Sequence, residues 1–213
     1  MKSLKAKKKQ AEAIYSTLLA NYPEAECSLV FENPLQLLVA TQLAAQCTDK
    51  RVNVVTESLF KKYVSAEDYA NASVAEFEDD IRSTGFFRNK ANNIIECCKI
   101  LVDKYDGNVP SDMDELLQLP GIGRKTANVI RGEAYGIPGM VVDTHAGRLS
   151  RRFGLTENTD PVKVEYDIMK ILPAERWNKF SHLMIEHGRA VCRARKPQCE
   201  GCFLSDVCDK RIK

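Results

Sequence analysis

The chain has 213 residues, of which 44% are hydrophobic and 28% charged, with a formal net charge of +2. That length suits one large domain or two small ones, and the composition excludes global disorder and a uniformly basic nucleic-acid binder. No run approaches the ~18 apolar residues of a membrane span, and no apolar stretch follows the basic start Met1–Lys9, so the expectation is a cytoplasmic protein with no membrane partner. The charge is unevenly placed. Tyr63–Ile81 has six acids and no Lys or Arg, whereas Pro120–Leu155 has six bases against two acids and Arg189–Lys213 seven against three. Such a chain can still bind a polyanion on one face.

Apolar spacing close to 3.6 runs through most of the chain, and alternation of strand length is missing; Val141-Val142 is the one short β-like patch. Ile14, Leu18 and Leu19 mark an N-terminal helix. Leu35, Leu38, Val39 and Leu43 mark a second, and Val52, Val55 and Leu59 a third. Ser65-x-x-Asp68, Ser73-x-x-Glu76 and Ser111-x-x-Asp114 each fit a capping box. Ile94, Ile95, Ile100 and Leu101 belong to a long helix that stops near Asp106-Gly107. Asp160-Pro161 supplies an N-cap and a first-position proline. The helix behind it, with Val164, Ile168, Ile171 and Leu172, is stopped by Pro173. With short loops between these elements, the fold class expected is all-α.

The sharpest local signal runs from Leu116 to Ala127. A helix is expected to end at Leu119, Pro120 and Gly121 turn the chain, and Gly123 permits a tight hairpin before the next helix. The unpaired amides of that helix's first turn form a natural phosphate site. The stretch resembles the helix-hairpin-helix motif of DNA-binding proteins. A plain turn between core helices needs the proline and glycines but not the adjoining Arg124 and Lys125. Lys125 lies in the first turn, at the positive end of the helix dipole and beside Arg124. That setting suits an amine acting as a nucleophile. Asp143, eighteen residues later in Val141-Val142-Asp143-Thr144-His145, is the carboxylate that completes an amine-and-acid pair.

Leu119–Ala127 followed by Val142–His145 resembles the helix-hairpin-helix DNA glycosylases with a trailing aspartate. The lysine aligns the chain with their bifunctional branch, the endonuclease III family, over about Ala11 to Cys208. The resemblance implies a base excision repair glycosylase with abasic-site lyase activity, acting on oxidised or ring-saturated pyrimidines in damaged double-stranded DNA. Lys125 becomes the nucleophile at the sugar C1′, and Asp143 the carboxylate that supports charge on the sugar. Gly121, Gly123, Arg124 and Thr126 become DNA-contacting positions of the hairpin. Two lobes follow: a helical barrel domain over 27–136 that contains the hairpin, and a discontinuous iron-sulfur cluster domain of 1–26 with 137–213. The resemblance also implies a monomer, nucleoid-associated in a bacterium.

Eight cysteines divide into two sets. Cys27, Cys47, Cys97 and Cys98 read as reduced, small side chains. Cys192, Cys199, Cys202 and Cys208 follow the pattern Cys-x6-Cys-x2-Cys-x5-Cys. By ligand count, zinc and a [4Fe-4S] cluster both fit. The asymmetric spacing resembles the [4Fe-4S] site of endonuclease III, which implies that cofactor. The loop between the first two ligands carries Arg193, Arg195 and Lys196, which are expected to grip phosphates. A base must leave the stack before a protein amine reaches its sugar. In the family a Gln plugs the gap and an apolar side chain wedges it. The matching positions here are Gln46, in Ala44-Ala45-Gln46, and Phe86, in Gly85-Phe86-Phe87. Ala44 and Phe86 depart from the family's usual Ser and Leu. Gln46 reads equally as a helix cap, and Phe86 as core. His145 reads as a hydrogen-bonded structural residue and Trp177 as core. Alternative functions are a related glycosylase for alkylated purines, mismatches or photoproducts, and a non-catalytic DNA-binding module. The adenine glycosylases of the superfamily lack the lysine.

Overall fold

The computed structural model describes residues 2–212. Among them there is no strand, and the helices are α1 Leu4–Asn21, α2 Pro34–Leu43, α3 Asp49–Lys62, α4 Ala66–Ala70, α5 Val74–Ile81, α6 Phe87–Tyr105, α7 Met113–Leu117, α8 Arg124–Tyr135, α9 Thr144–Arg152, α10 Pro161–Met169 and α11 Trp177–Ala190. Short 3-10 turns lie at Arg82–Thr84 and Ala174–Arg176. The lysine-rich start is the first part of α1.

The chain forms two compact units. One is Cys27–Ile137; the other joins the residues before Cys27 to those from Pro138 onward. In the first, α2 is the central rod. It is apolar around most of its circumference, and α3, α6 and α8 pack on it; a helix surrounded on all sides has no polar face to present. Asn33 caps its amide end and Pro34 occupies the first turn. Tyr63, Tyr69 and Phe77 stack on one another beneath α4 and α5, with ring centroids 5.1–5.8 Å apart. In the second unit α11 packs on α1 and α9, around Ile14, Leu18, Leu149, Phe153, Phe180 and Leu183.

Local signals predict some boundaries and miss others. The Ser65 capping box forms in full. Ser73 precedes α5 but makes no side-chain cap bond. Ser111 does not cap α7 at all. Asp112, one residue on, accepts from the amides of Asp114 (2.9 Å) and Glu115 (3.2 Å), because a carboxylate with two free oxygens is the stronger acceptor for two orphan amides. Helix α7 ends at Leu117, two residues before Leu119, and α10 ends at Met169. Ile171 and Leu172 are buried in the following turn. Asp106 and Gly107 close α6 in left-handed conformations, with the Gly107 amide on the Leu101 carbonyl at 2.9 Å. The Val141-Val142 patch is buried coil, held by a bond from the Val141 amide to the Ser181 hydroxyl at 2.9 Å.

Candidate functional site

The hairpin between α7 and α8 is pinned from below by Leu119 and Ile122, both buried in the core. The Ile122 amide donates to the Leu119 carbonyl at 3.1 Å. Gly121 has φ 76°, and a Cβ there would meet Gln42 Oε1 at 2.5 Å. Gly123 is different: it is the N-cap of α8 in extended conformation, and a Cβ there meets open space. It brings no capping side chain to the first-turn amides of α8. Gly121→Ala should therefore lower stability by about 1–3 kcal/mol, the usual cost of a strained backbone position. Gly123→Ala should melt with the native protein yet bind DNA more weakly, because only its approach to a ligand is obstructed. Thermal melts beside DNA titrations check the pair.

Lys125 sits exposed in the first turn of α8 and makes no salt bridge among the described residues; Thr126 is half-buried beside it. Asp143 lies in the other unit, as the half-buried N-cap of α9. Its Oδ1 accepts from the Ala146 amide at 2.7 Å. The buried Met140–Val142 segment before it holds the carboxylate by packing. His145 meets Arg148 Nη2 through Nδ1 at 3.1 Å, a structural contact. Gly188 of α11 allows that close approach, since a Cβ there would lie 2.6 Å from His145 Nδ1.

Two loop tips in the Cys27–Ile137 unit carry exposed side chains on left-handed backbone. Gln46, between α2 and α3, has φ 55°; it does not cap a helix, because Thr48 caps α3. Phe86, before α6, has φ 49° and is 62% exposed, so it is not a core residue. Positive φ is a rare state for a bulky residue and persists only where the surroundings impose it. Lys90, which periodicity did not single out, ties the two loops: its Nζ donates to the carbonyls of Leu43 (2.8 Å) and Thr84 (2.9 Å). The available signal was its register, four and eleven residues before the buried Ile94 and Leu101 on the inner face of α6.

The C-terminal cysteines surround one cavity, lined also by Arg152, Phe153, His187 and Pro197. Among the described residues no three His, Cys, Asp or Glu side chains gather closely enough for a single ion. Four thiols spread around a cavity suit a polynuclear cluster better than tetrahedral zinc. Donors face the sulfurs: Arg152 Nη1 lies 3.3 Å from Cys192 Sγ, the Lys210 amide 3.3 Å from Cys208 Sγ, and His187 Nε2 3.6 Å from Cys202 Sγ. Burial pulls His187 down to about 4, so its ring is neutral, with Nδ1 3.3 Å from the Tyr22 hydroxyl. Burial also raises the thiols of Cys202 and Cys208, so proton release accompanies metal binding.

Sequence reasoning missed what secures the start of the basic loop. Arg152 donates to the carbonyls of Arg193 (2.7 Å) and Ala194 (2.9 Å), and Arg148 to that of Cys192 (3.0 Å). Arg193, Arg195 and Lys196 remain exposed.

Residues 39–174 match the family described as HhH-GPD superfamily base excision DNA repair protein, and residues 192–208 match the iron-sulfur binding domain of endonuclease III. Endonuclease III of Synechocystis sp. is 52% identical over 209 residues, spanning 98% of this chain and 95% of that protein. Endonuclease III of Bacillus subtilis is 45% identical, over 94% and 92%. Two solved structures, a non-covalent Endonuclease III–DNA complex and a trapped Endonuclease III–DNA covalent intermediate, each superpose with TM-score 0.92 at 45% identity, covering 99% of this chain and 97% of theirs. The chain thus belongs to the endonuclease III family of helix-hairpin-helix base excision repair proteins, and its C-terminal loop is that family's domain for a [4Fe-4S] cluster.

Proposed function

We propose that this base excision repair glycosylase removes oxidised or ring-saturated pyrimidines from duplex DNA and cuts the strand 3′ to the lesion through a Schiff base on Lys125. The observation that carries the reading is the hairpin that runs directly into α8 with Lys125 exposed in its first turn. The Lys125 amine attacks C1′, and the base leaves with the electron pair of the glycosidic bond and a proton. The sugar ring opens to the imine. Loss of a C2′ proton then expels the 3′ phosphate, and water hydrolyses the imine to free Lys125. Asp143, held rigid by its cap bond, supports the positive charge that grows on the sugar and assists the proton transfers. Gln46 fills the gap left by the flipped nucleotide and Phe86 wedges the stack, a role open to an exposed aromatic. Gly121, Gly123, Arg124 and Thr126 bring the hairpin onto the backbone of the damaged strand.

Cys192, Cys199, Cys202 and Cys208 hold the [4Fe-4S] cluster, which supplies a rigid cross-link between chain segments. Arg193, Arg195 and Lys196 then grip phosphates from a fixed loop. The protein acts as a monomer in the cytoplasm, nucleoid-associated where the cell is bacterial. No described helix is long and apolar enough to cross a membrane.

Borohydride trapping on a panel of duplexes, each carrying one modified base, tests the reading. A covalent adduct is expected on oxidised pyrimidines. DNA binding with no adduct on any duplex overturns the enzymatic reading. Adducts confined to alkylated purines, mismatches or photoproducts overturn the substrate assignment alone.

A further inference from the structure

Lys90 stands in the first turn of α6 on its buried face, only 5% exposed. Both of its acceptors close a helical segment. Leu43 is the last residue of α2, and Thr84 ends the 3-10 turn Arg82–Thr84. Carbonyls at such ends lack an intrahelical partner and face the negative pole of the helix, where a cation is favoured. The chain leaves regular structure immediately beyond each one. Ala44–Thr48 carries Gln46, and Gly85-Phe86 carries the aromatic tip; Gly85, Phe86 and Gln46 all have positive φ. Lys90 also donates its own amide to the Phe86 carbonyl at 3.1 Å. One residue therefore holds the roots of both loops, across 47 residues of sequence on one side and 6 on the other. Desolvation opposes an ammonium at this depth and lowers its proton affinity. A methionine of similar length fills the same space without that opposition, so packing alone does not account for a lysine here.

We infer that Lys90 is a positioning residue for base extrusion: by clamping the Leu43 and Thr84 carbonyls it fixes the spacing of Gln46 and Phe86, the side chains that enter the stack together. The inference rests on the glycosylase reading above and adds to it a requirement. The two intruding loops act as one rigid tool, so loosening their common root impairs opening of a paired site more than it impairs the chemistry at an open one.

The test uses the full-length, cluster-loaded protein carrying Lys90→Met. Single-turnover base removal is measured for one lesion in a fully paired duplex and for the same lesion in an unpaired bulge. A 2-aminopurine beside the lesion reports unstacking. Lys90→Met should slow removal from the paired site by about 100-fold, the scale of a 1 Å misplacement, and reduce the fluorescence rise, with the bulged lesion processed at the native rate. In a background where Gln46 and Phe86 are already Ala, Lys90→Met should add no further loss. Equal slowing on both substrates, no slowing on the paired one, or an undiminished effect in that background overturns the inference. Lys90→Gln, which keeps a donor for one carbonyl, carries the same test if Lys90→Met loses its cooperative melt or the visible absorbance of its cluster. A native protein that neither removes a base nor traps with borohydride defeats the glycosylase reading itself. An active native protein with no split between substrates defeats only the role of Lys90.

Discussion

Lys125→Gln abolishes the borohydride adduct and lowers single-turnover base removal by at least about 10³-fold, the scale on which enzymes lose rate when a covalent nucleophile is deleted. Lys125 is exposed, makes no salt bridge among the described residues and lies at a helix head, so Gln replaces it with no hole in the core. The melting temperature should stay at the native value. DNA affinity should fall by no more than roughly tenfold, since one phosphate contact is all that is lost. Asp143→Asn is the companion experiment. Asn caps a helix as well as Asp does, so the bond to the Ala146 amide survives and the fold is retained. Only the negative charge disappears, and base removal should fall by about 10²–10⁴-fold, the range for a positioned acid–base group. Rates, borohydride trapping and melts on the same preparations separate the outcomes. A normal adduct from Lys125→Gln moves the nucleophile to another residue. Loss of the melt with Asp143→Asn shows that the carboxylate is held for stability.

The second large effect concerns the cluster. Cys199→Ser should abolish the visible absorbance of the cluster and weaken binding to undamaged duplex DNA, with a smaller dependence on salt. Arg193, Arg195 and Lys196 offer three exposed charges, and each phosphate contact contributes about 0.9 to the slope of log K against log salt. A slope lower by up to about 2.7 is the expectation when all three are lost. The loop has two anchors of unequal kind. At its start, Arg148 and Arg152 hold the carbonyls of Cys192, Arg193 and Ala194. Towards Cys199, Cys202 and Cys208 the securing agent is the cluster. Arg195 and Lys196 should therefore become mobile while Arg193 stays tethered. Arg195→Ala in the cluster-loaded protein isolates one contact, with a slope lower by about one and the absorbance intact. If loss of the cluster leaves affinity and slope unchanged, the loop does not contact DNA.

Much of this was legible because it is encoded over short stretches. Pro120, Gly121 and Gly123 specify the hairpin through backbone preferences that act within a few residues, and Asp143 is an N-cap by the same local logic. Capping was the least dependable local signal. Ser65 makes its box, while Ser73 and Ser111 do not. A hydroxyl competes with whatever acceptor folding brings to the same amides, and at α7 the Asp112 carboxylate wins.

By itself, then, the sequence determined an all-helical chain, a turn that aims amides and Lys125 outward, and four thiols close enough in sequence to share one cluster, because each depends on spacing within about two dozen residues. Only the tertiary structure decided that Phe86 is exposed, that Lys90 is buried on two carbonyls, and that Arg152 secures the main chain after Cys192. Those outcomes turn on groups 40 or so residues apart, whose meeting is set by how helices pack. An aromatic or a lysine on an amphipathic helix carries no local mark of which neighbour it will meet.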